Sequence, residues 1–252
     1  MKIARTGMKL EEDLHPDDEK RRKYLVNLLT MSALTMTPID VIQAAWWGSK
    51  PEKLPSNKSF FSLEGDVRVN GLSAILETRV NTGDVVRTYQ NSEAVFVVGS
   101  DSFILRSNTE MQIEGSNFLV SALRLLSGSV LSVFGKRRSN QPLIMSSITA
   151  TIGIRGTGVY METEPDLTYF CTCYGLVAMS SRSSPDKFEI IKAEHHDSPK
   201  YISKDSSRGK FIQDAPFKNH TDAELKLLEA IVGREVPFGL ESELYQGERR
   251  EY

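Results

Sequence analysis

Cysteine is almost absent from this chain, with only two in 252 residues. That excludes the disulfide framework of a small secreted domain, so core burial has to stabilise the fold. A surplus of one charge sign is missing too: 31 basic residues stand against 33 acidic ones, a net charge of -2, which gives no overall pull toward nucleic acid. The short basic run Lys136, Arg137, Arg138 has no interleaved aromatics and reads as a solvated loop. No apolar run reaches the about 20 residues that a membrane-spanning helix needs. A C-x-x-C-H haem motif and a βαβ rhythm are both lacking, and no Walker lysine follows the glycines at 153, 156 and 158, so neither haem attachment through that motif nor a parallel nucleotide-binding sheet is expected.

The chain does carry an abrupt change of composition near its start. EEDLHPDDEK runs into Arg21, Arg22 and Lys23, and residues 24–39 are then free of charge. A basic end followed by a modestly apolar run is the order of a secretory signal. KRRKYLVNLL resembles the twin-arginine export motif: an arginine pair, one spacer, an aromatic, then Leu25 and Val26. Ala44 and Ala45 are the nearest cleavage positions, without a clean A-x-A, so residues 24–45 are either removed or kept as an anchor to the inner membrane. The resemblance implies export to the periplasm and membrane contact only through that segment.

After a Pro-containing polar linker at 50–57, the pattern turns to β-type runs punctuated by Gly, Asn, Ser and Asp. EAVFVVGSDSFILR is a hairpin around Gly99, Ser100 and Asp101. GDVVRT, RLLSGSVLSVFG, ATIGIRGTGVYME and CTCYGLVAM follow one another in an order that resembles the FecR domain of bacterial extracytoplasmic regulators, over roughly residues 60–180. The resemblance implies a mainly β fold, a sandwich or solenoid of short strands, and a non-catalytic sensor, binding or assembly module with a protein partner in the envelope. The residues before Arg21 are too few for the helical cytoplasmic region of the sigma-regulating members, so iron-citrate signalling does not transfer. Gly153, Gly156 and Gly158 fit a bulge or a close backbone approach, which leaves Arg155 to cross the sheet or meet a carboxylate. These readings divide the chain into a leader at 1–49, a FecR-like β domain at 58–182 and a C-terminal extension at 183–252 with a His-rich loop and one helix.

Both cysteines fall in TYFCTCYG, one residue apart. On a strand, positions two apart share a face, so Cys171 and Cys173 stand side by side. Three readings are open: a disulfide across Cα atoms about 6.6 Å apart, two buried thiols packing as small apolar groups, and a metal site. Three of the four histidines, His195, His196 and His220, come later in the chain, while His15 precedes the export segment. Two thiolates with one or two imidazoles form a Cys2His or Cys2His2 donor set suited to zinc or copper. Of the adjacent pair, His196 is the better placed, because Asp197 and Pro199 then shape the turn. His220 precedes a helix start in which Thr221 and Glu224 form a capping box, Leu225, Leu228, Ile231 and Val232 line the apolar face, and Gly233 ends the helix. No Ser-His-Asp order has supporting local sequence and the carboxylate pair Glu11, Glu12 lies in the leader, so a non-catalytic protein is expected.

Overall fold

A computed structural model describes residues 51–137, 143–206 and 209–238. The export-like leader and its cleavage positions lie outside the described residues. Among the described residues no helix is long and apolar enough to cross a membrane.

The chain is mainly β, with a single described helix near its C-terminus and a sheet that does not close. In chain order the strands are β1 (Phe60–Glu64), β2 (Val67–Val69), β3 (Leu72–Ser73), β4 (Val85–Thr88), β5 (Glu93–Val98), β6 (Asp101–Leu105) and β7 (Glu110–Ser116). There follow β8 (Leu119–Val133), β9 (Leu143–Ser146), β10 (Ala150–Thr163), β11 (Leu167–Ser181), β12 (Ser184–Ala193), β13 (Lys200–Ser203) and β14 (Ile212–Asp214), then helix α1 (Asp222–Ile231). The β5–β6 hairpin pairs Val98 with Asp101 around Gly99 and Ser100, and Gly99 takes a φ of 62°, as its turn composition requires.

Three strands are long rather than short: β8 and β11 have 15 residues and β10 has 14. Each serves two neighbourhoods. The first part of β10 pairs with β9 and the second with β8. Likewise the early part of β8 pairs with β7 and its end with β6. The early part of β11 pairs with β13 and the later part with β12. The register shifts between Arg155 and Gly158, where Gly156 has a φ of 63°, so the RGT segment is a bulge. Arg155 is exposed opposite Leu176 and makes no carboxylate pair among the described residues. With these bends the sheet packs back on itself. Thr149 Oγ1 donates to the Ile202 carbonyl at 3.0 Å and Ser181 Oγ to the Ser203 carbonyl at 2.9 Å, joining the open end of the β10–β11 pair to β13.

One core packs against these bent strands, with Phe60, Phe96, Phe103, Phe134, Ile152, Met161, Phe170, Met179 and Ile202 all buried. Burying each such side chain stabilises the fold by about 1.5–3 kcal/mol. The basic run at 136–138 departs from the solvated reading at Arg137. Its guanidinium is buried and paired with Asp101, a carboxylate that is itself only 1% exposed and would be costly without a cation beside it.

Helix α1 forms as its capping box dictates: Thr221 accepts from the Glu224 N–H and the Glu224 side chain accepts from the Thr221 N–H. Its apolar face, Leu225, Leu228 and Ile231, is fully buried. Ser102 Oγ donates to the Leu228 carbonyl at 2.7 Å, and Arg106 bridges Glu224 at 2.6 Å and Glu93 at 2.5 Å, so hairpin and helix share one buried ion triad.

Candidate metal centre

The strand pairing along β11 explains how the site is built. β13 and β12 pair with successive stretches of the same strand, and the chain between them, 194–199, lies outside the strands. There the backbone turns inward. Asp197 accepts from the Glu194 and His195 N–H groups at 2.6 and 3.2 Å, the His196 N–H donates to the Cys173 carbonyl at 2.9 Å, and His196 adopts a φ of 55°. This left-handed residue aims the His196 ring at the sulfurs while its neighbour His195 points elsewhere. His220, directly before the helix N-cap, comes in from the other side.

Cys171, Cys173, His196 and His220 converge. One ligand atom from each lies within 4.8 Å of all the others, and all four residues are buried. Both cysteines are free thiols with no exposed surface. Cys171 Sγ is 3.6 Å from His196 Nδ1, which is 3.2 Å from His220 Nε2. A tetrahedral ion with metal–sulfur bonds of about 2.3 Å and metal–nitrogen bonds of about 2.0–2.1 Å sets S–N edges near about 3.5 Å and N–N edges near about 3.3 Å. The two measured edges match.

The outer nitrogens fix the tautomers. His220 Nδ1 is 2.7 Å from the Lys218 carbonyl, which can only accept, so Nδ1 carries the hydrogen and Nε2 a lone pair. His196 Nε2 is 3.0 Å from Asp222 Oδ1, which leaves the Nδ1 lone pair of the neutral ring facing the same point. Two lone pairs 3.2 Å apart repel unless a proton or a metal cation sits between them. The carbonyl and the carboxylate behind the rings are the outer partners that orient metal-binding imidazoles.

His195 stands apart from the four donors. Its Nε2 lies 2.9 and 3.0 Å from the two Asp222 oxygens, and with His196 and Asp222 it forms a second group of possible donors. Asp222 is the residue that sequence reasoning missed. Its position at the first turn of α1, two residues after His220, was the available signal, since a carboxylate there both favours the helix N-terminus and reaches back to the rings. Aromatic walls complete the site: Tyr160 stacks on His220 at 4.7 Å, and Phe217 meets both His196 and His220 at 4.5 Å.

Charge is distributed unevenly among the donors. Burial opposes ionisation of Cys171, but the Cys173 thiol, the nearby His220 and the His196 ring outweigh it and hold Cys171 well below the usual thiol range. Cys173 is pushed up by burial and by the Cys171 thiolate. Burial also disfavours charge on His196, yet Asp222 and Cys171 raise it to about 9. Burial raises Asp222, and the hydrogen bonds from His196 and His195 more than reverse this. Without a cation the pocket thus favours ionisation of Cys171 and retention of a proton on Cys173 and His196.

No family model matches the chain, so the FecR resemblance rests on its motifs alone. No curated protein matches it either. Among solved structures, two of a proposed anti-sigma factor from Parabacteroides distasonis ATCC 8503 are similar. One has 12% identity and a TM-score of 0.41 over 52% of this chain and 58% of that one. The other has 13% identity and a TM-score of 0.37 over 55% of this chain and 58% of that one. The chain therefore spans less than two thirds of either, and likeness at these scores carries no inference about function.

Proposed function

We propose that this chain is a non-catalytic, FecR-like module of the bacterial envelope in which Cys171, Cys173, His196 and His220 bind one zinc ion. The ion ties the segment 194–222, and with it α1, to strand β11. The observation that carries the reading is the pair of imidazole lone pairs 3.2 Å apart, aimed with two sulfurs at one point and each backed by a fixed hydrogen-bond acceptor. Zinc fits a closed Cys2His2 set better than magnesium or calcium, which take oxygen ligands, and copper is the competitor for the same donors. Four protein donors in a buried site leave no open position for a reacting water, which argues for a structural or sensing ion rather than a catalytic one. The twin-arginine-like leader supports export to the periplasm, and the FecR-like motifs support a protein partner there.

Metal analysis of chain purified without chelator tests the reading. One zinc per chain, lost in Cys171→Ser and in His220→Ala, is the expected result. Cobalt substitution should give the absorption bands of a tetrahedral sulfur and nitrogen site. Chelation should speed amide exchange across 194–222 while β5 and β6 stay protected. Metal-free protein that gives no cobalt bands when loaded sinks the proposal.

A further inference from the structure

Among the described residues β12 pairs only with β11, so its second edge has no strand partner. Its two faces differ. Ala193 is buried, Ile191 packs against the core and Glu189 reaches Lys200 at 3.5 Å, so these odd-numbered residues turn toward the rest of the chain, while Pro185 and Lys187 are exposed. The even-numbered side chains face solvent: Asp186, Phe188, Ile190 and Lys192 are all exposed, Phe188 at 62% and Ile190 at 63%. A free edge flanked by two large apolar side chains is a template for another strand.

The order of those four residues identifies the strand. About Glu189 as a centre, Asp186 mirrors Lys192 and Phe188 mirrors Ile190. Two copies of β12 set antiparallel about a two-fold axis through Glu189 would place each Asp186 opposite the other copy's Lys192 and each Phe188 opposite its Ile190. Opposite charges and apolar pairs then meet at every outward position. A symmetric contact of this kind is self-complementary. Neither Asp186 nor Lys192 makes an ion pair among the described residues. Glu189 would face its own copy on the axis, and each Glu189 already has Lys200 beside it. Pro185, which lacks an N–H, bounds the pairing at one end, where it would meet the buried Ala193.

We infer that the chain forms a two-fold dimer by pairing β12 edge to edge with β12 of a second copy, in the register that sets Asp186 against Lys192. The pairing extends one sheet through both copies and covers Phe188 and Ile190. It depends on β12 and not on the metal.

Sedimentation equilibrium of the full chain, from micromolar to about 100 µM, tests this. Wild type should associate to a dimer. Asp186→Lys and Lys192→Asp should each weaken it by about tenfold or more, because like charges then meet twice per dimer, and the double variant should recover to within about threefold of wild type. Phe188→Glu should give monomer. All of these side chains are exposed, so thermal melting should show an unchanged fold. A wild type that stays monomeric at about 100 µM overturns the inference. So does a dimer indifferent to Phe188→Glu, or charge variants that the double exchange does not rescue.

Discussion

In the β5–β6 hairpin, Phe96, Val98, Phe103 and Leu105 are buried among apolar neighbours, whereas the 194–222 segment buries His196, His220 and Asp222. These four side chains need only shape and the removal of apolar surface from water, beside the buried ion pairs that Asp101 and Glu93 make. The segment hides polar groups, and every one of them requires a partner, because an unpaired buried polar group costs about 1–3 kcal/mol. The first arrangement tolerates a change of solution conditions. The second depends on protons and, under the proposed function, on a zinc ion. One region is thus held mainly by apolar burial, and the other by groups whose charge follows the surroundings.

The sharpest break between the regions is Phe103→Ala. Deleting a fully buried ring from the core should cost about 3–5 kcal/mol in urea denaturation, with metal content per folded chain unchanged. A drop in zinc stoichiometry of the folded fraction would show that the regions are not separable in this way.

Acidity should act on the other region. Below about 9 His196 carries a proton, and Cys173 holds one through the same range, so zinc must displace two protons. Affinity should therefore rise with pH up to that point and less steeply above it, as read by competition with a chromophoric chelator. In the metal-free chain the sign reverses. The raised His196 contributes stability that is fully present below its ordinary value of 6.5 and is lost as the pH passes about 9. A zinc affinity indifferent to pH would remove this distinction.

The smallest effect is expected from Asp222→Asn, which keeps the shape but removes the charge behind His196. Zinc binding should weaken by about 10–100-fold, while the urea midpoint of the metal-free hairpin region moves little. An unchanged affinity would relegate Asp222 to capping the helix.

Much of the sheet was legible because apolar and polar residues alternate over short runs and the turns carry Gly, Asn and Ser. The α1 boundaries were legible from Thr221, Glu224 and Gly233, which bracket the helix as the structure has it. Strand length was not. The bulge in β10 was readable from Gly153, Gly156 and Gly158, but nothing local says that β8, β10 and β11 change partners on either side of a bend. At the site, the same-face spacing of Cys171 and Cys173 was readable, and the choice between His195 and His196 was only half so. Both sit in one turn, and the left-handed backbone at His196 decides which ring points in. Asp222 and the burial of Arg137 were hidden because charged residues near helix starts and in basic runs are ordinarily solvated.

The doubled membership of β8, β10 and β11 also bears on how the protein comes apart. Since each pairs with different strands along its length, no seam exists among the described residues along which one part of the sheet could detach while the rest survives. Complementing fragments cut anywhere inside these strands should fail to reassemble, and a protease nick there should be lethal to the whole sheet at once.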